Sequence, residues 1–234
     1  MAGGQELKLL GLWESPFVVR SGIALNLKRL GYEFLEEVPG TKSELLLKSN
    51  PVYKKMPVLI HNGKPICESM IIVQYIDKVW AAAGPSILPS DPHDRAIARF
   101  WAVYIDDKWF PSLLKIVRAK ADEEEEKAEA AEQVIAGLQL LEEAFEKCSK
   151  GKDFFGGQTV GYIDIALGCY LGWLKAAEKM AGIKLLDKEK IPLLVGWAER
   201  FCSADAVKEV MPEADKLVEF AKLLRGTQNV AAPN

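Results

Sequence analysis

The stretch Lys54–Ser69, KKMPVLIHNGKPICES, constrains the fold of this chain more than any other. Val58, Leu59 and Ile60 form a brief apolar strand, Asn62–Gly63 is the strongest hairpin signal in the sequence, and Pro65–Ile66 begins a return strand. Glu68–Ser69 then opens a helix over MIIVQYIDKVW. Met56–Pro57 stands before the first strand, where a cis bond would turn backbone donors and acceptors outward. A helix start presents unpaired N–H groups and positive dipole charge, so a ligand carboxylate fits beside Ser69 and an ammonium beside Glu68. The stretch therefore suits a small ligand with an amine and a carboxylate at one end and an extended peptide body. A plainer reading stays open at this point: an ordinary hairpin followed by a capped helix.

The flanking segments place this hairpin in a larger unit. Leu7–Leu12 reads as a strand, and VVRSGIALNLKRL has helical apolar spacing. Ser15 before Pro16 is a helix-start signature, a hydroxyl at the N-cap and proline at the first helical position, and Gly31 is expected to close that helix. Glu33–Val38 is a second strand, and Lys42–Lys48 a short helix stopped by Asn50–Pro51. The order is βαβαββα, complete by about residue 82. Gly84–Pro85 and LPSDP mark a linker, giving an expected first domain over 1–83, a linker over 84–93 and a second domain over 94–234.

Beyond the linker no strand signal competes with helix. Asp94–Lys120 is expected to be one long helix bent at Pro111, and the acids of Asp122–Glu126 to cap the next, which Gly151 stops. A nearly all-apolar helix from Tyr162 to Met180 is expected at the centre of the second domain, with Gly161 and Asp164 placed as in a capping box. Pro192 begins a helix through Phe201, Ala206–Leu224 carries the last helices, and GTQNVAAPN is expected to be loose.

Composition narrows the function. With 234 residues, net charge −3 and no run of about 20 apolar residues, the chain suits packed domains and neither a membrane span nor nucleic-acid binding. Its start lacks the pattern of a secretory signal. Cys67, Cys148, Cys169 and Cys202 have no metal-ligand spacing, and His61 and His93 are the two imidazoles, so no metal site is expected and a reduced, cytoplasmic compartment is.

Taken together, WESPF, NPVYKKMPVLIHNGKPICES, IIVQYID, LPSDP and FFGG followed by GYIDIALG resemble a plant glutathione transferase of the tau class over essentially the whole chain. The resemblance implies a thioredoxin-like first domain, an all-helical second domain, a cytosolic homodimer, glutathione as co-substrate, and conjugation of its thiolate to hydrophobic electrophiles, with organic hydroperoxide reduction in some members. It implies that Ser15 is the catalytic serine, its hydroxyl donating to the glutathione sulfur at a helix N-terminus. Lys42 and Lys55 match the residues that hold the glycine carboxylate, Met56 the backbone partner of the cysteinyl unit, and Pro57 the cis proline that keeps that geometry. Glu68 and Ser69 match the grip on the γ-glutamyl end.

Relatives with cysteine in place of Ser15 perform thiol–disulfide chemistry, so serine here implies transferase or peroxidase chemistry instead. Phe17, Phe110, Leu114, Val117, Trp173 and Phe220 match the wall of a hydrophobic electrophile site, although aromatic residues at helical spacing also build ordinary cores. The sequence departs from the tau pattern at Ser21–Gly22, where a glycine inside a helix costs on the order of 1 kcal/mol, and more mildly at Gly40–Thr41. The alternative function is a carrier of hydrophobic metabolites in the apolar pocket, with conjugation incidental.

Overall fold

The computed structural model describes residues 6–119 and 123–230, with side chains given as far as residue 223. Four strands, β1 (Leu7–Gly11), β2 (Glu33–Glu36), β3 (Val58–His61) and β4 (Lys64–Cys67), form one sheet in the order β2-β1-β3-β4. β1 runs parallel to β2 and antiparallel to β3, and β3 pairs antiparallel with β4. The hairpin turn holds Asn62 at φ 49° and Gly63 at φ 76°, the left-handed pair that an Asn-Gly turn supplies. Pro65 lies in the edge strand β4, where a missing N–H breaks no interior ladder.

Side-chain alternation divides the sheet into two faces. Leu7, Leu9 and Leu59 pack with α1 (Pro16–Leu27) and α3 (Ser69–Val79), while Leu10, Val58 and Ile60 pack with Leu46 of α2 (Glu44–Ser49). The result is the expected thioredoxin-like layer of sheet between helices. α1 ends at Leu27, earlier than Gly31: Arg29 takes the left-handed position at φ 53°, and Leu30 N–H donates to the Leu25 carbonyl as in a Schellman closure. The unusual Gly22 has a packing reason, because a Cβ there would stand 3.0 Å from Val210 Cγ1.

From Trp80 to Asp91 the chain has neither helix nor strand. It is held firmly nonetheless. Asp77 accepts the N–H groups of Ile87 and Leu88, and Lys28 Nζ reaches both Asp77 (2.8 Å) and the Pro85 carbonyl (2.7 Å).

The second domain is helical: α4 (Pro92–Tyr104), α5 (Phe110–Arg118), α6 (Glu124–Ser149), α7 (Tyr162–Gly168), α8 (Leu171–Ala181), α9 (Pro192–Ser203), α10 (Asp205–Lys208) and α11 (Ala214–Val230). The single bent helix expected over Asp94–Lys120 is instead α4 and α5 joined by a π-helical turn, Ile105–Trp109; Lys120 lies outside the described residues. Pro111 has no N–H to give to the preceding turn, and the wider turn just before it accommodates that loss. Glu124, Glu125 and Glu126 occupy the first turn of α6, whereas Asp122 lies outside the described residues.

The helix expected from Tyr162 to Met180 is broken at Cys169–Tyr170. Tyr170 N–H turns to the Leu167 carbonyl, which frees the Ala166 carbonyl to accept from Arg20 of the first domain. Asp164 goes beyond a capping-box role. Fully buried, it accepts from Phe155 N, Gly156 N and Gly161 N and from Trp197 Nε1, at 2.7–2.9 Å, tying the FFGG turn to α7 and α9. The last helix runs on through Val230, so the first five residues of the expected loose tail are helical, and residues 231–234 lie outside the description.

Candidate active site

Sheet register explains why distant residues meet. Leu10 pairs with Val58, and Val58 with Cys67, so β1 ends where β3 begins and β4 ends. The turn to Ser15, the Met56–Pro57 pair and Glu68–Ser69 therefore leave the sheet at the same end. β2, parallel to β1, delivers the 37–43 loop and Lys42 to that end as well.

Ser15 is the N-cap residue of α1, yet its side chain makes no capping hydrogen bond. Its hydroxyl stands at the mouth of the helix, uncommitted to the helix itself. Met56–Pro57 is a cis peptide. Glu68, at the N-cap of α3, has φ 69° and ψ 115°, a conformation that costs on the order of 1–3 kcal/mol for a residue with a side chain. Ser69 is buried, with Oγ accepting from Arg20 Nη1 at 3.3 Å. Lys42 and Lys55 are exposed. Lys42 precedes α2 instead of starting it, because Ser43 caps the helix and is itself held by Glu37.

Ser15 also borders a cavity of about 330 Å³ between the domains. All six residues expected at the electrophile site, Phe17, Phe110, Leu114, Val117, Trp173 and Phe220, line it, together with Glu14, Pro16, Arg118 and Ala221. Phe17 meets Phe110 edge-on at 5.7 Å, and Phe220 meets Trp13 at 6.0 Å and Trp173 at 6.5 Å. Among the expected residues Ser15 alone belongs both to the sheet-end group and to this cavity wall.

Two features are missed by local sequence reading. The first is Arg20, fully buried, which forms a bidentate pair with Asp106 (2.9 and 2.5 Å) and also donates to Ser69, Ala166 and Tyr170. Tyr170 donates to Asp106 and stacks on Phe110 with ring centroids 4.5 Å apart. This one guanidinium thus touches the sheet-end group, the second domain and the ring that backs the cavity. Its partner lies 86 residues away, so no motif announces the pair. The second is Glu14, the acid within WESPF, which is buried.

Two of the cysteines, Cys67 and Cys169, have raised pKa values. Burial, with Glu68 nearby, raises the Cys67 thiol, which points at the Ser49 carbonyl. Burial pushes the Cys169 thiol up to about 12. Both stay protonated near neutral pH, and a thiol is a poor nucleophile.

Comparison with known proteins agrees with this architecture. Residues 5–78 match the family model "Glutathione S-transferase, N-terminal domain", and residues 97–205 match "Glutathione S-transferase, C-terminal domain". The chain is 60% identical over 220 residues to glutathione S-transferase U18 of Arabidopsis thaliana, covering 94% of this chain and 96% of that one. Among solved structures, the tau-class glutathione S-transferase of mango, Mangifera indica, superposes with a TM-score of 0.89 at 60% identity, covering 94% of this chain and 98% of that one. A rice glutathione transferase in complex with glutathione superposes with a TM-score of 0.86 at 35% identity, over 97% of this chain and 99% of that one. The chain belongs to the glutathione S-transferase family. Within that family it is a plant tau-class enzyme, a glutathione-binding transferase.

Proposed function

We propose that Ser15 holds the sulfur of bound glutathione as a thiolate and that the cavity beside it receives a hydrophobic electrophile. The observation that carries this reading is the Ser15 hydroxyl: it sits at a helix N-terminus, is not spent on capping, and borders the apolar cavity. A hydroxyl and a positive helix end both favour a sulfur anion, and each unit of thiol pKa lowering corresponds to about 1.4 kcal/mol. The thiolate then attacks the electrophilic carbon, and the leaving group or developing carbanion takes up the electron pair.

Met56, with its carbonyl and N–H turned by the cis bond to Pro57, pairs with the cysteinyl backbone. Lys42 and Lys55, exposed at the sheet end, hold the glycine carboxylate. Ser69 N–H and hydroxyl take the γ-glutamyl carboxylate at the start of α3, and Glu68 faces the amine. The first domain, residues 1–83, supplies this half, and the helical domain, residues 94–234, supplies most of the acceptor wall. Reduction of organic hydroperoxides is the second chemistry the same thiolate supports.

In this reading the enzyme acts in the cytoplasm as a homodimer. Val52, Tyr53, Ile71, Phe100 and Val103, each more than half exposed, offer apolar surface for a second copy to cover.

The test compares turnover with binding. Conjugation of an aryl halide and reduction of cumene hydroperoxide are measured beside the affinity for a flavonoid and a porphyrin. Saturable conjugation that a bound flavonoid inhibits competitively supports the proposal. Tight flavonoid binding with no turnover above the uncatalysed rate makes the protein a carrier and overturns it.

A further inference from the structure

The Ser15 hydroxyl makes no capping bond of its own, so the backbone of its turn decides where it stands. On the helix side, the Ser15 carbonyl accepts the N–H groups of Val18 and Val19, both at 3.0 Å. On the other side lies the peptide plane that joins Glu14 to Ser15. Its N–H end, on Ser15, donates to the Leu12 carbonyl at 3.1 Å. Its carbonyl end, on Glu14, accepts from Trp173 Nε1 at 2.8 Å, the one hydrogen bond that reaches this oxygen among the described residues. A peptide plane is rigid, so a bond at each end fixes its tilt. That tilt sets the Ser15 N–Cα bond, from which the direction of Cβ and its hydroxyl follows.

Trp173 comes from α8 in the second domain, 159 residues along the chain, and its half-buried ring also forms part of the cavity wall. We infer that Trp173 is a positioning residue for the conjugation: its indole N–H holds the Glu14–Ser15 peptide so that the serine hydroxyl meets the glutathione sulfur. The inference rests on the reading of Ser15 as the group that keeps this sulfur ionised. It gives Trp173 two separable duties, one through ring area toward the electrophile and one through a single N–H toward the thiolate. A wall alone needs no donor: Phe17, Phe110 and Phe220 supply aromatic surface to the same cavity with none.

Two substitutions separate the duties. Trp173→Phe keeps an aromatic ring and removes the donor. Trp173→His gives up most of the ring area, but its Nε2 takes the place in the five-membered ring that Nε1 has in indole, and it can carry a proton there. For each variant the thiol of bound glutathione is titrated by ultraviolet difference with no electrophile present. kcat and KM for an aryl halide are then followed across pH. Ser15→Ala and the double variant Ser15→Ala/Trp173→Phe are measured beside them.

Trp173→Phe should raise the pKa of the bound thiol by about one unit and lower kcat about tenfold below that pKa, because a small misplacement of a reacting group is felt on this scale or more. The deficit should close at higher pH, where the sulfur ionises without help. Trp173→His should hold the thiol pKa near its native value while KM for the aryl halide rises. In the Ser15→Ala background, adding Trp173→Phe should move the thiol pKa no further, a result that a general loss of packing would not give. An unshifted thiol pKa in Trp173→Phe overturns the inference, and so does an equal shift with and without the serine hydroxyl. Should Trp173→Phe fail to fold, Trp173→His decides alone, and a raised thiol pKa in it overturns the inference. Failure of the Ser15 reading is distinguishable, because Ser15→Ala by itself would then leave the thiol pKa unmoved and take this inference with it.

Discussion

Replacing Ser15 by alanine separates catalysis from folding in a way the structure makes quantitative. Loss of an N-cap serine ordinarily costs about 1 kcal/mol, because the side-chain oxygen accepts a backbone N–H. Here the hydroxyl makes no such bond, so Ser15→Ala should leave the melting temperature unchanged. The functional loss has a different size. A hydrogen bond to a charged group contributes about 1.5–3 kcal/mol, which corresponds to a rise of roughly one to two units in the pKa of the bound thiol. Below that pKa the thiolate fraction, and with it kcat/KM for an aryl halide, should fall about 10- to 100-fold. Ultraviolet difference titration of the glutathione-bound enzyme reads the pKa directly, and glutathione affinity, held by the other sheet-end residues, should change little. Ser15→Thr, which keeps a hydroxyl, should retain part of the activity. A variant that melts lower but titrates and turns over like the native enzyme would return Ser15 to the role of a helix cap and refute the argument.

Three further outcomes are expected. Asp164→Ala should strip a partner from three backbone N–H groups and the Trp197 indole, and at about 1–3 kcal/mol for each orphaned donor the urea-unfolding free energy should drop by about 4 kcal/mol or more; a loss below about 1 kcal/mol would contradict it. Burial also pushes the Asp164 carboxyl up to about 6 from its ordinary 3.8. The folded state thus holds that proton more tightly than the unfolded chain, and this contribution to stability is full below pH 3.8 and lost as pH rises through about 6. The slope between these values should be flatter in Asp164→Asn, and equal slopes in the two proteins would count against it. Arg20→Met should cost about 3–5 kcal/mol by leaving Asp106 without its buried partner, and adding Asp106→Leu should recover much of that; a double variant as unstable as the sum of the singles would argue that the pair is not coupled.

The first domain was legible because its signals are local. Asn62–Gly63, Ser15–Pro16 and Glu68–Ser69 each carry the conformation of the turn or helix start in adjacent residues, and strand register then brings them to one end of the sheet. The cavity wall was legible in part: Phe110, Leu114 and Val117 repeat at helical spacing, a pattern that also builds cores, and their place on the cavity wall is visible only in the structure. Helix boundaries in the second domain were not, because tertiary partners decide them. The break at Cys169–Tyr170 exists where Ala166 turns its carbonyl to Arg20, a residue 146 positions earlier. Gly31 looked like a helix stop, but Arg29 reaches the left-handed region first. Glu14 carries no local signal, because a single acid in a turn is usually solvated, and only its burial distinguishes it.

The strapping of residues 85–88 has an evolutionary and practical consequence. A stretch rich in proline and serine invites use as the splice point when halves of two relatives are recombined. Yet Lys28 and Asp77 grip it from one side, and the Ile87 carbonyl receives the first N–H of α7 from the other. Those four residues are thus a shared keystone and not a hinge. A chimera whose donor differs at Lys28 or Asp77 would mate two sound halves through a joint that neither recognises.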